Sequence, residues 1–155
     1  MNGFTQKEKQ ERGQTGEALI TASLRKSELW QHKLVNAGYG TVADKLVIPP
    51  GGGYLLEIKT RLEPRIAYNR SSITNNERRG MDYFEKMVGH GRSLIVGIWK
   101  TKEFQRAFLI PWCQVREGVL SELPGSIKML DFPELKKIPG GWDLSCLKNI
   151  GGENA

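Results

Sequence analysis

The chain has 155 residues, 39% of them hydrophobic and 26% charged, the size and balance of one soluble domain around a single core. A helical bilayer span is excluded, because no run approaches the roughly eighteen apolar residues required and the longest apolar stretches, such as 93–99, are strand-sized. Lys and Arg outnumber Asp and Glu by 23 to 17, and the surplus is uneven: residues 1–100 hold sixteen basic and ten acidic side chains, residues 101–155 seven of each. That balance alone is a weak pointer to nucleic acid.

The polar, charged beginning does not read as a signal peptide, so the expectation is an intracellular, cytoplasmic chain. Cys113 and Cys146 form no CxxC pair, and only two histidines accompany them. They read as buried or incidental thiols in a reducing compartment rather than as a structural zinc site.

Residues 1–13 carry Lys7, Glu8, Lys9, Glu11 and Arg12 with little to bury, which predicts a flexible basic arm. From Gln14 the residues Leu19, Ile20, Ala22 and Leu24 recur at helical spacing, which predicts an amphipathic helix of about fifteen residues. Trp30, His32 and Leu34 then alternate with Gln31, Lys33 and Val35 as in a strand, closed by Gly38 and Gly40. Asp44 opens a second strand over 45–48, stopped by Pro49 and Pro50, and Gly51, Gly52 and Gly53 turn the chain into a third strand over 54–59. The glycine triplet lacks the spaced Lys and Ser or Thr of a phosphate loop, so it reads as a hairpin connection.

A polar loop is expected over 61–72. A helix follows from Ser72 or Thr74 to Val88, with Ile73, Met81, Phe84 and Val88 on one face and Gly80 as its weak point. Two strands, over 93–99 and 105–110, end at Pro111. A short helix over 112–116 precedes a tail punctuated by Pro124, Pro133 and Pro139. The order predicts an α/β or α+β fold, a mixed sheet with helices packed on it. The main domain is placed at 14–118. Residues 119–155 form an extension whose anchors Leu130, Phe132, Trp142 and Leu144 pack on the domain or on a second subunit.

The chemistry lies in Asp44 and the triplet Glu57, Ile58, Lys59. Alternate strand residues share a face, so Glu57 and Lys59 project together. A hairpin can bring Asp44, at the start of the preceding strand, beside them. Two carboxylates and an ammonium suit a hard divalent cation acting on a phosphate. Against solvated surface charge stands the apolar setting of Tyr54, Leu55, Leu56 and Ile58, where unpaired charge is expensive.

This arrangement resembles the PD-(D/E)xK nuclease superfamily, and within it the RecU-type Holliday junction resolvases. The likeness comprises Gly16-Glu17 in the leading helix, Asp44, and Glu57-Ile58-Lys59-Thr60 after a turn. It extends to Ile73, Glu77 and Met81 in the second helix and to the two strands that end at Pro111. There are departures. Ala43 stands where the namesake proline would be, Glu77 replaces the family glutamine, and the stretch from Glu17 to Asp44 is too short for the projecting stalk of cellular RecU proteins. A compact chain of this kind fits a phage or mobile-element version in a bacterial host.

The resemblance implies a restriction-endonuclease-like fold and Mg²⁺-dependent phosphodiester hydrolysis, with Mn²⁺ able to substitute. It implies Asp44, Glu57 and the Ile58 carbonyl as metal ligands, Lys59 as the group that orients or activates water, and Glu17 as an outer-shell or second-cation ligand. It further implies a homodimer cutting four-way junctions in recombination and repair. Same-fold nucleases acting on flaps, single strands or duplex ends, and a non-catalytic DNA-binding module, are the competing readings.

Arg61, Arg65, Arg70, Arg78 and Arg79 lie within nineteen residues that begin just after Lys59. Guanidinium forks grip phosphate, and positive charge beside an acidic site offsets its repulsion of DNA, so these five are the expected DNA contacts. Tyr68 in the same stretch either stacks on a base or packs on its neighbours. The four tryptophans read as core or interface, and His32 and His90 suggest nothing catalytic.

Overall fold

The computed structural model describes residues 5–34, 43–121 and 124–148. In chain order it comprises α1 (Gln6–Lys26), β1 (Trp30–Lys33), β2 (Lys45–Ile48), β3 (Tyr54–Arg61), β4 (Arg65–Ala67), α2 (Asn75–Met87), β5 (Ser93–Lys100), β6 (Gln105–Pro111) and α3 (Trp112–Ser121). Three short strands follow, β7 (Ser126–Lys128), β8 (Lys137–Ile138) and β9 (Gly141–Trp142), with 3-10 turns at Met129–Asp131 and Ser145–Lys148.

Five strands form one mixed sheet in the order β1-β2-β3-β5-β6. β3 and β5 are parallel, from Leu55 opposite Ser93 to Arg61 opposite Trp99, and the other three pairings are antiparallel. A parallel neighbour requires a crossover, and α2 lies in that connection. Both central strands are almost wholly buried, which explains their unbroken apolar runs.

The core has two halves, one on each face of the sheet. Ile20 and Leu24 of α1 pack with Val47, Leu56, Ile58, Val96 and Ile98, and Trp142, Leu144 and Leu147 of the tail join them. Met81 of α2 and Trp112, Val115 and Val119 of α3 pack with Leu55, Ile95, Phe108 and Ile110. The tail anchors of the first half are tied to α1 by polar contacts. Ser23 Oγ accepts from the Trp142 N–H at 2.8 Å, and Ser27 Oγ from the Leu144 N–H at 3.1 Å. Leu130, expected among the anchors, is 55% exposed.

The leading helix begins at Gln6 rather than Gln14, so the arm expected over 1–13 is helical from Gln6 onward. The cause is a capping box: Thr5 Oγ1 accepts the Glu8 N–H while the Glu8 carboxylate accepts the Thr5 N–H. The stretch read as a loop over 61–72 contains β4, which pairs with β7 of the tail from Arg65 opposite Lys128 to Ala67 opposite Ser126. Helix α2 is capped at Thr74, as its sequence predicts, but Val88 is exposed rather than on its buried face. The closure of the first strand at Val35, Gly38 and Gly40 lies outside the described residues, as does the chain before Thr5 and after Lys148.

Candidate active site

Strand β3 delivers three consecutive site residues because it is central and alternates. Leu56 and Ile58 enter the α1-side core, while Glu57, with Leu55, faces the α2 side. Glu57 is 4% exposed. Asp44 stands one residue before β2, and the ladder fixes it beside β3: its N–H donates to the Leu56 carbonyl at 3.0 Å, and its carbonyl accepts the Leu34 N–H at 2.9 Å. Its Oδ2 accepts the Ile58 N–H at 2.7 Å. The hairpin that the sequence predicts thus brings Asp44 against the Glu57-Ile58-Lys59 triplet.

Lys59 Nζ lies 3.2 Å from Glu57 Oε1, and 3.1 and 3.0 Å from Oε1 and Oε2 of Glu77. Glu77 holds its position because it is also the capping-box residue of α2. Its Oε1 accepts the Thr74 N–H at 2.8 Å, and its own N–H donates to Thr74 Oγ1 at 3.2 Å. One acidic residue therefore closes the start of α2 and grips the lysine.

Burial is the main cause holding the Asp44 carboxyl above its ordinary range; the Ile58 N–H pulls the other way, and the charge of Glu17 adds to the rise. Burial likewise pushes Glu57 well up, helped by its hydrogen bond with Glu77 and by the charges of Asp44 and Glu77, with Lys59 opposing. Burial acts to raise Glu77 too, but hydrogen bonds from Glu57, Lys59 and the Thr74 N–H outweigh it, and Glu77 titrates low.

Glu17 arrives from α1, where Gly16 sets the approach. A Cβ on Gly16 would collide with Thr60 Oγ1 on β3, so only glycine lets the helix come this close. The charge of Glu17 acts on Asp44, and its carboxylate pairs with Lys33 Nζ at 3.4 Å.

The sequence reading misses a second group of cations around Glu17. Arg25, Lys33 and Lys45 line an open pocket of about 430 Å³ together with Glu17, Gln31 and His32. Lys33 and Lys45 stand directly opposite each other in the β1–β2 ladder, a placement that costs stability between like charges. Lys45 is 2% exposed, and its ammonium donates to Gln31 Oε1 at 3.1 Å. Burial, with Lys33 and Arg25 assisting and Glu17 opposing, draws its pKa down. A lysine adjoining Asp44 was the available signal, hidden because buried lysines are rare.

The arginine cluster divides. Arg65, Arg70 and Arg79 are exposed and Arg61 is half-buried. Arg78 is 5% exposed, with Nε donating to the Ile73 carbonyl at 2.8 Å and Nη2 to the Tyr68 carbonyl at 2.9 Å. Its expected role as a phosphate contact is therefore corrected: it struts the turn before α2, and its guanidinium is committed to backbone carbonyls. Tyr68 packs against Gly118 and Gly125 and joins the core on the α2 side. Trp112 and Trp142 are fully buried, whereas Trp30 is 56% exposed and stacks on His32.

No protein-family model matches this chain, and no curated protein does. Among solved structures it is similar to Hjc, a Holliday junction resolvase from the archaeal hyperthermophile Archaeoglobus fulgidus. The TM-score is 0.52 at 15% sequence identity, over 88% of this chain and 100% of that one. The five-stranded mixed sheet flanked by helices thus shares the fold of Hjc, and the expected α/β architecture, a mixed sheet with helices packed on it, is borne out. The RecU type rests on the sequence motifs alone. Among the described residues, no helix is long and apolar enough to cross a membrane.

Proposed function

We propose that this chain is a metal-dependent endodeoxyribonuclease that hydrolyses phosphodiester bonds in branched DNA, a Holliday junction resolvase acting as a homodimer. The observation that carries the reading is the convergence of Asp44, Glu57 and Lys59 where β2 meets β3. The fold likeness to Hjc supports it.

The donor set fits a hard divalent cation. Its groups are oxygens, and burial raises both carboxyls, with the charge of Glu17 adding at Asp44 and the charges of Asp44 and Glu77 adding at Glu57, a cost that a bound cation relieves. Asp44, Glu57 and the Ile58 carbonyl would hold Mg²⁺ or Mn²⁺, with Glu17 serving the outer shell or a second ion. When bound, the cation supplies Lewis-acid stabilisation of phosphoryl charge and lowers the pKa of water.

Lys59, gripped by Glu57 and Glu77, orients the attacking water and meets negative charge as it develops on the phosphate. Glu77 is its positioning residue. Arg25 and Lys33 on the α1 side, and Arg61 at the end of β3 with Arg65, Arg70 and Arg79 beyond it, hold the phosphate backbone against an otherwise repellent acidic site. A two-fold dimer would carry two such sites and address two strands symmetrically.

The test is incubation with a four-way junction, a flap and a linear duplex in Mg²⁺, beside an EDTA control. Paired symmetric cuts in the junction, absent in EDTA, are expected. A preference for the flap or the duplex end would overturn the resolvase assignment while leaving a nuclease. Binding without cleavage of any substrate would leave a DNA-binding module.

A further inference from the structure

At the far end of α2 from Glu77, Glu85, His90 and Cys113 meet in a second constellation. One ligand-capable atom from each, a carboxylate oxygen, an imidazole nitrogen and the thiol sulfur, lie within 4.8 Å of one another. They come from three elements: the last turns of α2, the turn before β5, and the first turn of α3. With Glu117 they line an open pocket of about 640 Å³. We propose that this is a binding site for a zinc-class divalent ion, separate from the nuclease centre.

The ligand types make the assignment. Sulfur and imidazole nitrogen with one carboxylate suit Zn²⁺ and its borderline-soft neighbours, whereas Mg²⁺ takes oxygen donors and dehydrates reluctantly. Tetrahedral zinc with bonds of about 2.0–2.3 Å sets its donors about 3.5 Å apart, so atoms within 4.8 Å of one another must close by about 1.3 Å at most. His90 is exposed and sits between Gly89 and Gly91, both at positive φ (154° and 80°), so its ring can supply that movement.

The surroundings hold the site in place. Glu85 Oε2 already accepts the N–H groups of Gly91 and Arg92 and so fixes the turn that carries His90. Among the described residues, its Oε1 has no hydrogen-bond partner, which leaves an oxygen for the ion. Asp82, one turn earlier, is occupied by Trp112 Nε1 at 2.6 Å and Arg116 Nε at 2.8 Å, so it clips α3 to α2 rather than competing as a ligand. Cys113 therefore faces a prepared pair, and the fourth position opens to the pocket. The bound ion would staple the end of α2 to the start of α3. Sequence spacing gives no hint of this, because only the fold brings Cys113, twenty-three residues beyond His90, to the Glu85 and His90 pair.

The metal-free full chain is titrated with Co²⁺, followed by displacement with Zn²⁺. One equivalent of Co²⁺ should produce a sulfur-to-cobalt charge-transfer absorption that Zn²⁺ removes. Cys113→Ser should abolish it, and His90→Gln should weaken Zn²⁺ affinity by at least about tenfold. Cys146→Ser and Asp44→Asn should leave it intact, since Cys146 lies elsewhere and the nuclease centre binds Co²⁺ through oxygen. No such absorption in the wild-type chain, an absorption surviving Cys113→Ser, or one lost in Cys146→Ser would overturn the site. If Cys113→Ser disturbs α3, His90→Gln at its exposed turn position decides: unchanged Zn²⁺ affinity refutes the proposal.

Discussion

Lys59 is held by Glu77, its ammonium 3.1 and 3.0 Å from the two carboxylate oxygens of a residue eighteen positions later on another element. Because Glu77 also caps α2, the position of the lysine is coupled to the start of that helix. Lys59→Ala should retain DNA binding and lose cleavage by about 10²–10³-fold, the scale of removing one charge-stabilising group. Glu77→Gln keeps a residue compatible with a capping box and should reduce cleavage no more than about tenfold, since Lys59 retains Glu57. Single-turnover cleavage and gel-shift binding of both variants check this.

Asp44 Oδ2 receives the Ile58 N–H at 2.7 Å, so an oxygen at this position serves the ladder as well as the proposed cation. Asp44→Asn preserves an accepting oxygen and should fold with stability within about 1 kcal/mol of the parent, the scale of one hydrogen bond. Its cleavage should vanish together with its affinity for Mn²⁺. Thermal melting and calorimetric titration with Mn²⁺ separate the two effects.

Glu57 gives the site a pH signature. Burial raises its pKa in the folded chain, so the stability it contributes is full below the unfolded value near 4.5 and is lost as pH rises through the folded one. Glu77, with a lowered pKa, works oppositely: its contribution is present above its unfolded value and is lost as pH falls through the folded one. Glu57→Gln removes only the first effect. In EDTA the variant should melt higher than the parent at neutral pH, with the gap closing toward pH 4. Added Mg²⁺ should raise the melting temperature of the parent and not that of the variant, and parent cleavage should increase with pH as Glu57 ionises.

The sheet and the acidic cluster were legible because both follow from alternation and hairpin geometry. Proline and glycine bounded β2 and β3, and one carboxylate stood before the hairpin with Glu57 and Lys59 on its second strand. What stayed hidden depends on contacts between distant segments. β4 exists because it pairs with β7 some sixty residues later, and three residues in a polar stretch carry no periodicity of their own. Lys45 drew no reading of its own and Arg78 read as a DNA contact, since burial of a cation is decided by the partners that tertiary packing brings to it. The early start of α1 was readable in Thr5 and Glu8, a capping signature overshadowed by the lack of apolar residues behind it.

The division within the arginine cluster predicts two different phenotypes. Arg65 and Arg70 are exposed, so charge reversal at both should weaken DNA binding across sequences and flatten its dependence on salt by about one to two in log–log slope. Arg78→Ala should act on folding instead. It strips donors from the Ile73 and Tyr68 carbonyls and should cost about 1–3 kcal/mol. Its salt slope for DNA binding should match the parent. Denaturant melts and binding isotherms at several salt concentrations distinguish the two.

Gly16 sets the distance between α1 and β3, because a Cβ there meets Thr60 Oγ1 and the Ile98 side chain. Neither contact can yield freely, since Thr60 and Ile98 are buried in the sheet. Gly16→Ala gains helix propensity of about 1 kcal/mol relative to glycine, yet overpacking of this kind costs about 1–3 kcal/mol. The clash should win, and the variant should melt lower. Moving α1 outward also carries Glu17 away from Asp44, so cleavage should fall more than stability alone accounts for. Gly16→Ala combined with Thr60→Ala removes the nearest obstacle and should recover much of both losses. A double variant no more stable or active than Gly16→Ala would locate the constraint elsewhere.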